Sequence, residues 1–261
     1  MTDNRPRRRP VVLAALTTLS VSLVLPGCAA LEQWPAFPDL PNLTPDEVAA
    51  LDLVPEAPQL GLDLDPGTLT PDGFDAIQRM AVRIRNIGCG TVSTGSGFAI
   101  DEYTLITNRH VVADARVLQV STHDGRDVEV DAASSAKLAD IAVIRTASAL
   151  ADAPRLADRD PEVGDEVTIV GFPEGRQLTV TTGVVKGRRL DPVHENLGEV
   201  LVTNALVEPG SSGSAALNAA GEVVGVVYAK TAGGMSLLVP VSWLRALLND
   251  EGAFAPVEPC G

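Results

Sequence analysis

EPGSSGSAAL, residues 208–217, sets Ser211, Ser212 and Ser214 among Gly210, Gly213 and two alanines. By composition alone it is a Gly-Ser turn. Its neighbours are EVLVTNA, residues 199–205, and EVVGVVYAK, residues 222–230, short apolar runs rich in valine. Such runs, bounded by turn residues, read as strands. The turn therefore presents hydroxyl groups at a sharp bend between two strands.

Similar runs recur outward from it. They are GSGFAI (95–100), TLITN (104–108), ARVLQVS (115–121), DVEVDAAS (127–134), IAVIRT (141–146), EVTIVGF (166–172), QLTVTTGVVKGRR (177–189), SAALN (214–218) and SLLVP (236–240). His123-Asp124-Gly125-Arg126 and Asn218-Ala219-Ala220-Gly221 supply hairpin turns. Many short strands with few helices predict an all-β sandwich or barrel. Ahead of them, PDGFDAIQRMAVRIRN predicts a short helix running into a strand, with Val82, Ile84 and Ile87 set against Arg83, Arg85 and Asn86. VSWLRALLND predicts a closing helix over 241–249, capped by Ser242, with Leu244, Leu247 and Leu248 on one face.

The remainder bounds the setting. The chain has 261 residues, a net charge of −14 and 45% hydrophobic residues. Negative charge of this size does not suit phosphate binding, so no nucleic-acid partner is expected. Residues 1–28 read as an export signal: arginines precede an uncharged run over 11–25 that is short for a membrane span. The run ends in Leu25-Pro26-Gly27-Cys28, which resembles a bacterial lipobox with Cys28 as the lipidated residue; an ordinary secretory signal is the alternative. Arg8-Arg9 also resembles a twin-arginine signal. Residues 29–73, with prolines at 35, 38, 41, 45, 55, 58, 66 and 71, read as an extended acidic tether. That leaves Cys89 and Cys260, a disulfide candidate in an exported protein, with two free thiols as the alternative. In the chain-entropy model such a loop of about 170 residues contributes ~5 kcal/mol.

Two more stretches give the serines company. TLITNRHVV, residues 104–112, ends an apolar run on a polar break holding His110. LADIAVI, residues 138–144, sets Asp140 directly before a strand. In chain order the residues are histidine, aspartate and serine, the three parts that activated-hydroxyl chemistry needs: a nucleophile, a base, and a carboxylate to orient the base. A glycine two residues before the serine lets backbone N–H groups converge on an oxyanion.

TNRHVV, DIAVI and PGSSGSA resemble the histidine, aspartate and serine motifs of trypsin-like serine proteases, in the bacterial HtrA-like branch, whose serine motif usually reads PGNSGGP. The resemblance spans about residues 74–248. It implies two packed six-stranded antiparallel β-barrels, one over about 74–155 and one over 156–240, then the terminal helix; residues 251–261 are expected to be a C-terminal tail. It implies that His110 is the general base, Asp140 its orienting carboxylate and Ser212 the nucleophile, with Gly210 and Ser212 donating to the oxyanion. Leu206, Val207, Tyr228 and Ala229 would wall the primary specificity pocket. With no carboxylate at 206, small or medium apolar side chains are expected before the cut. Ser211 stands at the motif's asparagine, Ser214 at its second glycine and Ala215 at its proline, while Arg109 replaces a small residue before the histidine. A Cβ at 214 would crowd the turn. Ser211 also replaces the aspartate by which digestive relatives capture a new N-terminus, so a site that is preformed or controlled by loops is expected. No PDZ module is expected after the last helix.

The resulting expectation is an exported, surface-anchored serine endopeptidase acting on proteins or peptides, without cofactor. A protease-shaped binding module with a weakened site is the alternative. Gly210-Ser211-Ser212-Gly213-Ser214 nearly fits the α/β-hydrolase elbow, but no histidine follows Ser212, as that fold requires. His123 and His194 lack metal-ligand spacing.

Overall fold

The computed structural model describes residues 75–150, 152–193 and 198–260. These belong to one compact unit, Asp63–Gly261. The export signal with Cys28, the tether over 29–73 and His194 lie outside the described residues.

Helix α1 (Ala76–Arg79) opens the unit, its first turn closed by a reciprocal box between Asp75 and Gln78. The N-terminal half contains β1 (Ala81–Gly88), β2 (Val92–Asp101), β3 (Thr104–Thr107), α2 (Arg109–Val112), β4 (Ala115–Thr122), β5 (Asp127–Val128), β6 (Val130–Ala136) and β7 (Ala142–Thr146). The C-terminal half contains β8 (Glu166–Gly171), a 3-10 turn (Pro173–Gly175), β9 (Thr179–Leu190), β10 (Glu199–Thr203), β11 (Ala215–Leu217), β12 (Val223–Lys230), β13 (Ser236–Pro240) and α3 (Val241–Leu248). A last strand, β14 (Phe254–Pro256), follows.

The six strands β8 to β13 close into a barrel in the order β10-β13-β12-β11-β8-β9. The N-terminal strands form an eight-stranded sheet, β14-β6-β7-β3-β2-β1-β4-β5. Its six longer strands are those the sequence outlines. The other two are the two-residue β5 and β14, which arrives from the end of the chain. Residues 254–260, expected within a C-terminal tail, are therefore tied to the sheet. Phe254, Ala255 and Pro256 pair with Ala136, Ser135 and Ser134 of β6. Cys260 then forms a disulfide with Cys89 just after β1, their Cα atoms 5.9 Å apart.

Three apolar clusters follow from strand alternation. One fills the N-terminal sheet with Val82, Ile84, Leu105, Val120 and Ile144. Another fills the barrel with Val167, Ile169, Leu201, Val224 and Leu238. The third joins the halves: Phe98, Ile106 and Ile141 meet Val170, Leu237 and Val239, and Leu244 and Leu247 of α3 close it. Strict alternation along β1 turns Asn86 inward with Val82 and Ile84, and leaves Ile87 only half-buried, against the expected grouping. The buried Asn86 amide donates to the carbonyls of Val111 at 3.0 Å and Ala113 at 2.8 Å, fixing the end of α2. Helix α3 also starts differently. Pro240 is its N-cap, and the cap bonds come from Asp160, whose carboxylate accepts from the Ser242 N–H at 2.9 Å and hydroxyl at 2.8 Å. Ser242 thus sits inside the first turn, and a remote loop takes over its expected task.

Candidate active site

β3 ends at Thr107, and the chain turns into the single turn of α2, which carries His110. β7 begins at Ala142, and the preceding loop carries Asp140, which is 2% exposed. β3 and β7 are antiparallel neighbours, Thr107 opposite Ala142, so the two loops share one end of the sheet. Asp140 Oδ2 lies 2.6 Å from His110 Nδ1, and Oδ1 accepts the His110 backbone N–H at 3.0 Å. Asn108 donates from Nδ2 to the Asp140 carbonyl at 2.7 Å. An ionised carboxylate only accepts hydrogen bonds, so this contact puts the ring proton on Nδ1 and leaves Nε2 as the basic nitrogen. The His110 side chain is 50% exposed, whereas that of Asp140 is 3% exposed. The imidazole thus turns one edge to a buried anion and faces solvent with the rest.

The third expected residue sits on the loop between β10 and β11. The loop reaches the N-terminal sheet directly: Ser96 of β2 donates its N–H to the Ser212 carbonyl at 2.8 Å. Gly213 is wedged there. It has φ +89°, and a Cβ on it would fall 2.0 Å from the Ser96 carbonyl oxygen and 2.5 Å from Thr107 Oγ1. Only glycine can bring the serine loop this close to the segment leading to His110. Among the described residues, no hydrogen bond joins the Ser212 hydroxyl to the imidazole.

The backbone of the loop is pinned at alternate groups. Glu174 N–H donates to the Pro209 carbonyl at 2.5 Å, and Ser214 N–H donates to the Ser211 carbonyl at 3.0 Å. In a trans peptide the N–H points opposite to its carbonyl. The anchored carbonyls therefore direct the N–H groups of Gly210 and Ser212 the other way. Those two amides donate to no acceptor among the described residues, whereas Ser211, Gly213 and Ser214 all do. Gly210 makes this possible with φ +94°. The two unpaired N–H groups are one residue apart, on either side of Ser211.

The expected pocket residues are placed unequally. Leu206 is 67% exposed. Val207 is buried in the barrel core and so presents no free side chain. Tyr228 is buried, and its hydroxyl donates to Asp191 Oδ1 at 2.6 Å, tying β12 to the loop after β9. Burial, then the bond to the Asp191 carboxylate, pushes the phenol's pKa far above its usual range and keeps it a donor. Ala229 is half-buried beside it. Glu208 and Lys230 form an exposed ion pair at 3.1 Å next to the serine loop. Arg109 donates to the Ala136 carbonyl at 3.5 Å, an interaction with the end of β6. Among the described residues there is no group of three or more His, Cys, Asp or Glu that could hold a metal ion.

Sequence reasoning passed over four contributors: Ser96, Asn108, Glu174 and Asp191. Two carried a signal. Asn108 sits at the polar break that holds His110. Ser96 stands between glycines in a strand, a pattern that marks close approach of another backbone.

An antiparallel barrel packed on a second antiparallel sheet, with a histidine–aspartate pair and a glycine-bent serine loop at their junction, defines the trypsin-like peptidase class. The family model for the trypsin-like peptidase domain matches residues 95–226, and the chain belongs to that family. Within it the relatives are of the HtrA and DegP type. The chain is 35% identical to HhoA of Synechocystis sp. over 61% of this chain and 43% of that protein. It is 28% identical to the serine endoprotease DegS of Haemophilus influenzae, over 65% of this chain and 52% of that one. The active form of the Rv3671c protease of M. tuberculosis superposes with a TM-score of 0.64 at 25% identity, covering 71% of this chain and 87% of that one. The chain spans less than two thirds of the length of these curated relatives.

Proposed function

We propose that this protein is an exported serine endopeptidase that hydrolyses peptide bonds in protein substrates through an acyl-enzyme. His110 Nε2 takes the proton from Ser212 Oγ as that oxygen attacks the scissile carbonyl. The same nitrogen then returns the proton to the leaving amine. Asp140 holds the imidazole in the required tautomer and stabilises its charged form. The N–H groups of Gly210 and Ser212 receive the oxyanion. Water, deprotonated by His110, releases the acyl group and restores the serine. The observation that carries this reading is the 2.6 Å contact of His110 Nδ1 with the buried Asp140 carboxylate, and it is supported by the two unpaired amides of the serine loop.

Leu206 is the expected pocket residue that remains exposed, and it bears no charge, which supports cleavage after small or medium apolar residues. Export is supported by the uncharged run over 11–25 and by the Cys89–Cys260 disulfide, which needs an oxidising compartment. Anchoring through a lipid on Cys28 completes the proposal, and intact mass spectrometry of membrane-extracted protein tests it by the added acyl mass.

A fluorophosphonate probe tests the chemistry. Labelling of the folded, oxidised protein is expected, and it should vanish in Ser212→Ala. Absence of labelling would leave a protease-shaped binding module, and undiminished labelling of His110→Ala would remove His110 as base.

A further inference from the structure

Ser96, in the GSGFAI stretch of β2, plays no part in the steps above, yet it is fully buried against the serine loop. Four hydrogen bonds converge on it. Its N–H donates to the Ser212 carbonyl at 2.8 Å, and its carbonyl accepts the Thr107 hydroxyl at 2.6 Å. Its own hydroxyl donates to the Gly210 carbonyl at 2.8 Å and accepts the Phe172 N–H at 2.8 Å. Ser96 thus holds the carbonyls of the two residues whose N–H groups are left unpaired.

We propose that Ser96 is a positioning residue for the oxyanion site, an inference that rests on the serine-protease reading above. The physical reason lies at Gly210. With φ +94° and no side chain, this residue is the most easily rotated point of the loop. Two peptide planes meet at its Cα. Glu174 anchors the plane before it through the Pro209 carbonyl. The Ser96 hydroxyl anchors the plane after it through the Gly210 carbonyl. With both planes held, the Gly210 N–H has one direction. Without the hydroxyl, the 210–211 plane keeps only the bond from the Ser211 N–H to the Glu208 carbonyl, and the Gly210 carbonyl and Phe172 N–H are left buried without partners. The hydroxyl also holds Phe172, which leads into the 173–175 turn, so its loss frees the turn whose Glu174 N–H fixes the 209–210 plane, and a shift of that turn would carry the Gly210 N–H out of line. The two flanking glycines have a place in this arrangement. A Cβ at Gly97 would fall 2.9 Å from the Ile106 carbonyl oxygen, and one at Gly95 would fall 2.6 Å from Val111, so neither position has room for a side chain beside Ser96.

The test compares wild type, Ser96→Ala and Ser96→Cys on one peptide substrate, with Ser212→Ala as the blank. Removing an oxyanion donor outright costs about 100- to 1,000-fold in kcat, so misaligning one is expected to cost Ser96→Ala roughly 10- to 100-fold, with KM changed less than about threefold. A peptide aldehyde forms an adduct that carries the oxyanion, so its affinity should fall by a factor close to that in kcat. Affinity for the corresponding product peptide should hold. Ser96→Cys keeps a weak donor of similar shape and should fall between the two. A residue that only stabilised the fold would lower the melting temperature without this split. Kcat within about threefold of wild type in a folded variant, or an effect borne entirely by KM, overturns the inference. If Ser96→Ala does not fold, Ser96→Cys decides by the same criteria. Wild-type protein without Ser212-dependent turnover would overturn the protease reading and this inference together, a result distinct from active wild type with indifferent variants.

Discussion

Ser214 occupies the position where the resembling motif has glycine, and Gly171 makes room for it. A Cβ built on Gly171 would fall 1.9 Å from Ser214 Oγ and 2.9 Å from Ser96 Oγ. The side chain lost at 171 is the space taken at 214. This exchange answers the crowding that the sequence implies for position 214. Ser214 Oγ is buried and makes no hydrogen bond among the described residues. Gly171→Ala is expected to destabilise by about 1–3 kcal/mol through overpacking and to weaken probe labelling by displacing the loop. Ser214→Ala should be neutral or stabilising by up to about 1 kcal/mol, since it removes an unpaired buried hydroxyl. Combining Gly171→Ala with Ser214→Gly should recover most of the loss, because the two changes share one space. Urea unfolding of wild type, Gly171→Ala, Ser214→Gly and the double variant measures this coupling, and simple additivity would refute it. The departure at 214 was legible in the sequence. Its partner, 43 positions earlier on an adjacent strand, was not, because only the β8–β11 pairing makes the two neighbours.

Among the elements, β14 shows what pairing adds to pattern. Its three residues have no alternation to distinguish them from coil. They become a strand because β6 offers an open edge, and the Ala253 carbonyl accepts the Lys137 N–H at 3.0 Å to start the pairing. The disulfide then fastens this strap to the end of β1, across a sequence separation of 171. Opening it by Cys89→Ser is expected to cost up to about 5 kcal/mol, lowering Tm by up to roughly 10–20 °C. Thermal melts of oxidised and reduced wild type beside the variant provide the check; equal midpoints would mean that β14 holds without its bridge. The turn over 173–175 acts in a similar way between elements. Glu174 adopts φ +55°, an uncommon conformation for a residue with a side chain, and its N–H anchors the serine loop. Arg83 of β1 donates to the Gly175 carbonyl at 3.3 Å and braces the same turn from the other half.

For the molecule as a whole, the core shared by the two halves sets cooperativity. Neither half can expose Phe98, Ile141, Leu237 or Val239 without uncovering the other. One unfolding transition is expected, with calorimetric and van't Hoff enthalpies in agreement. Leu237→Ala should cost about 2–5 kcal/mol and shift that transition without splitting it. Two resolved transitions in calorimetry would show that the halves melt separately.

The strands, their order along the chain, the helix after β13 and the residue types of the histidine, aspartate and serine stretches were set by the sequence alone. Alternation, turn residues and local spacing act over a few positions, so a single chain reading captures them. The closing of β8 to β13 into a barrel, the pairing of β14, the remote cap that Asp160 places on α3 and the inward turn of Asn86 were decided by tertiary structure. So were the anchoring of the serine loop by Ser96 and Glu174 and the exchange of space between Gly171 and Ser214. Each depends on hydrogen bonds or excluded volume between groups far apart in sequence, and those interactions exist only once the chain has folded back on itself.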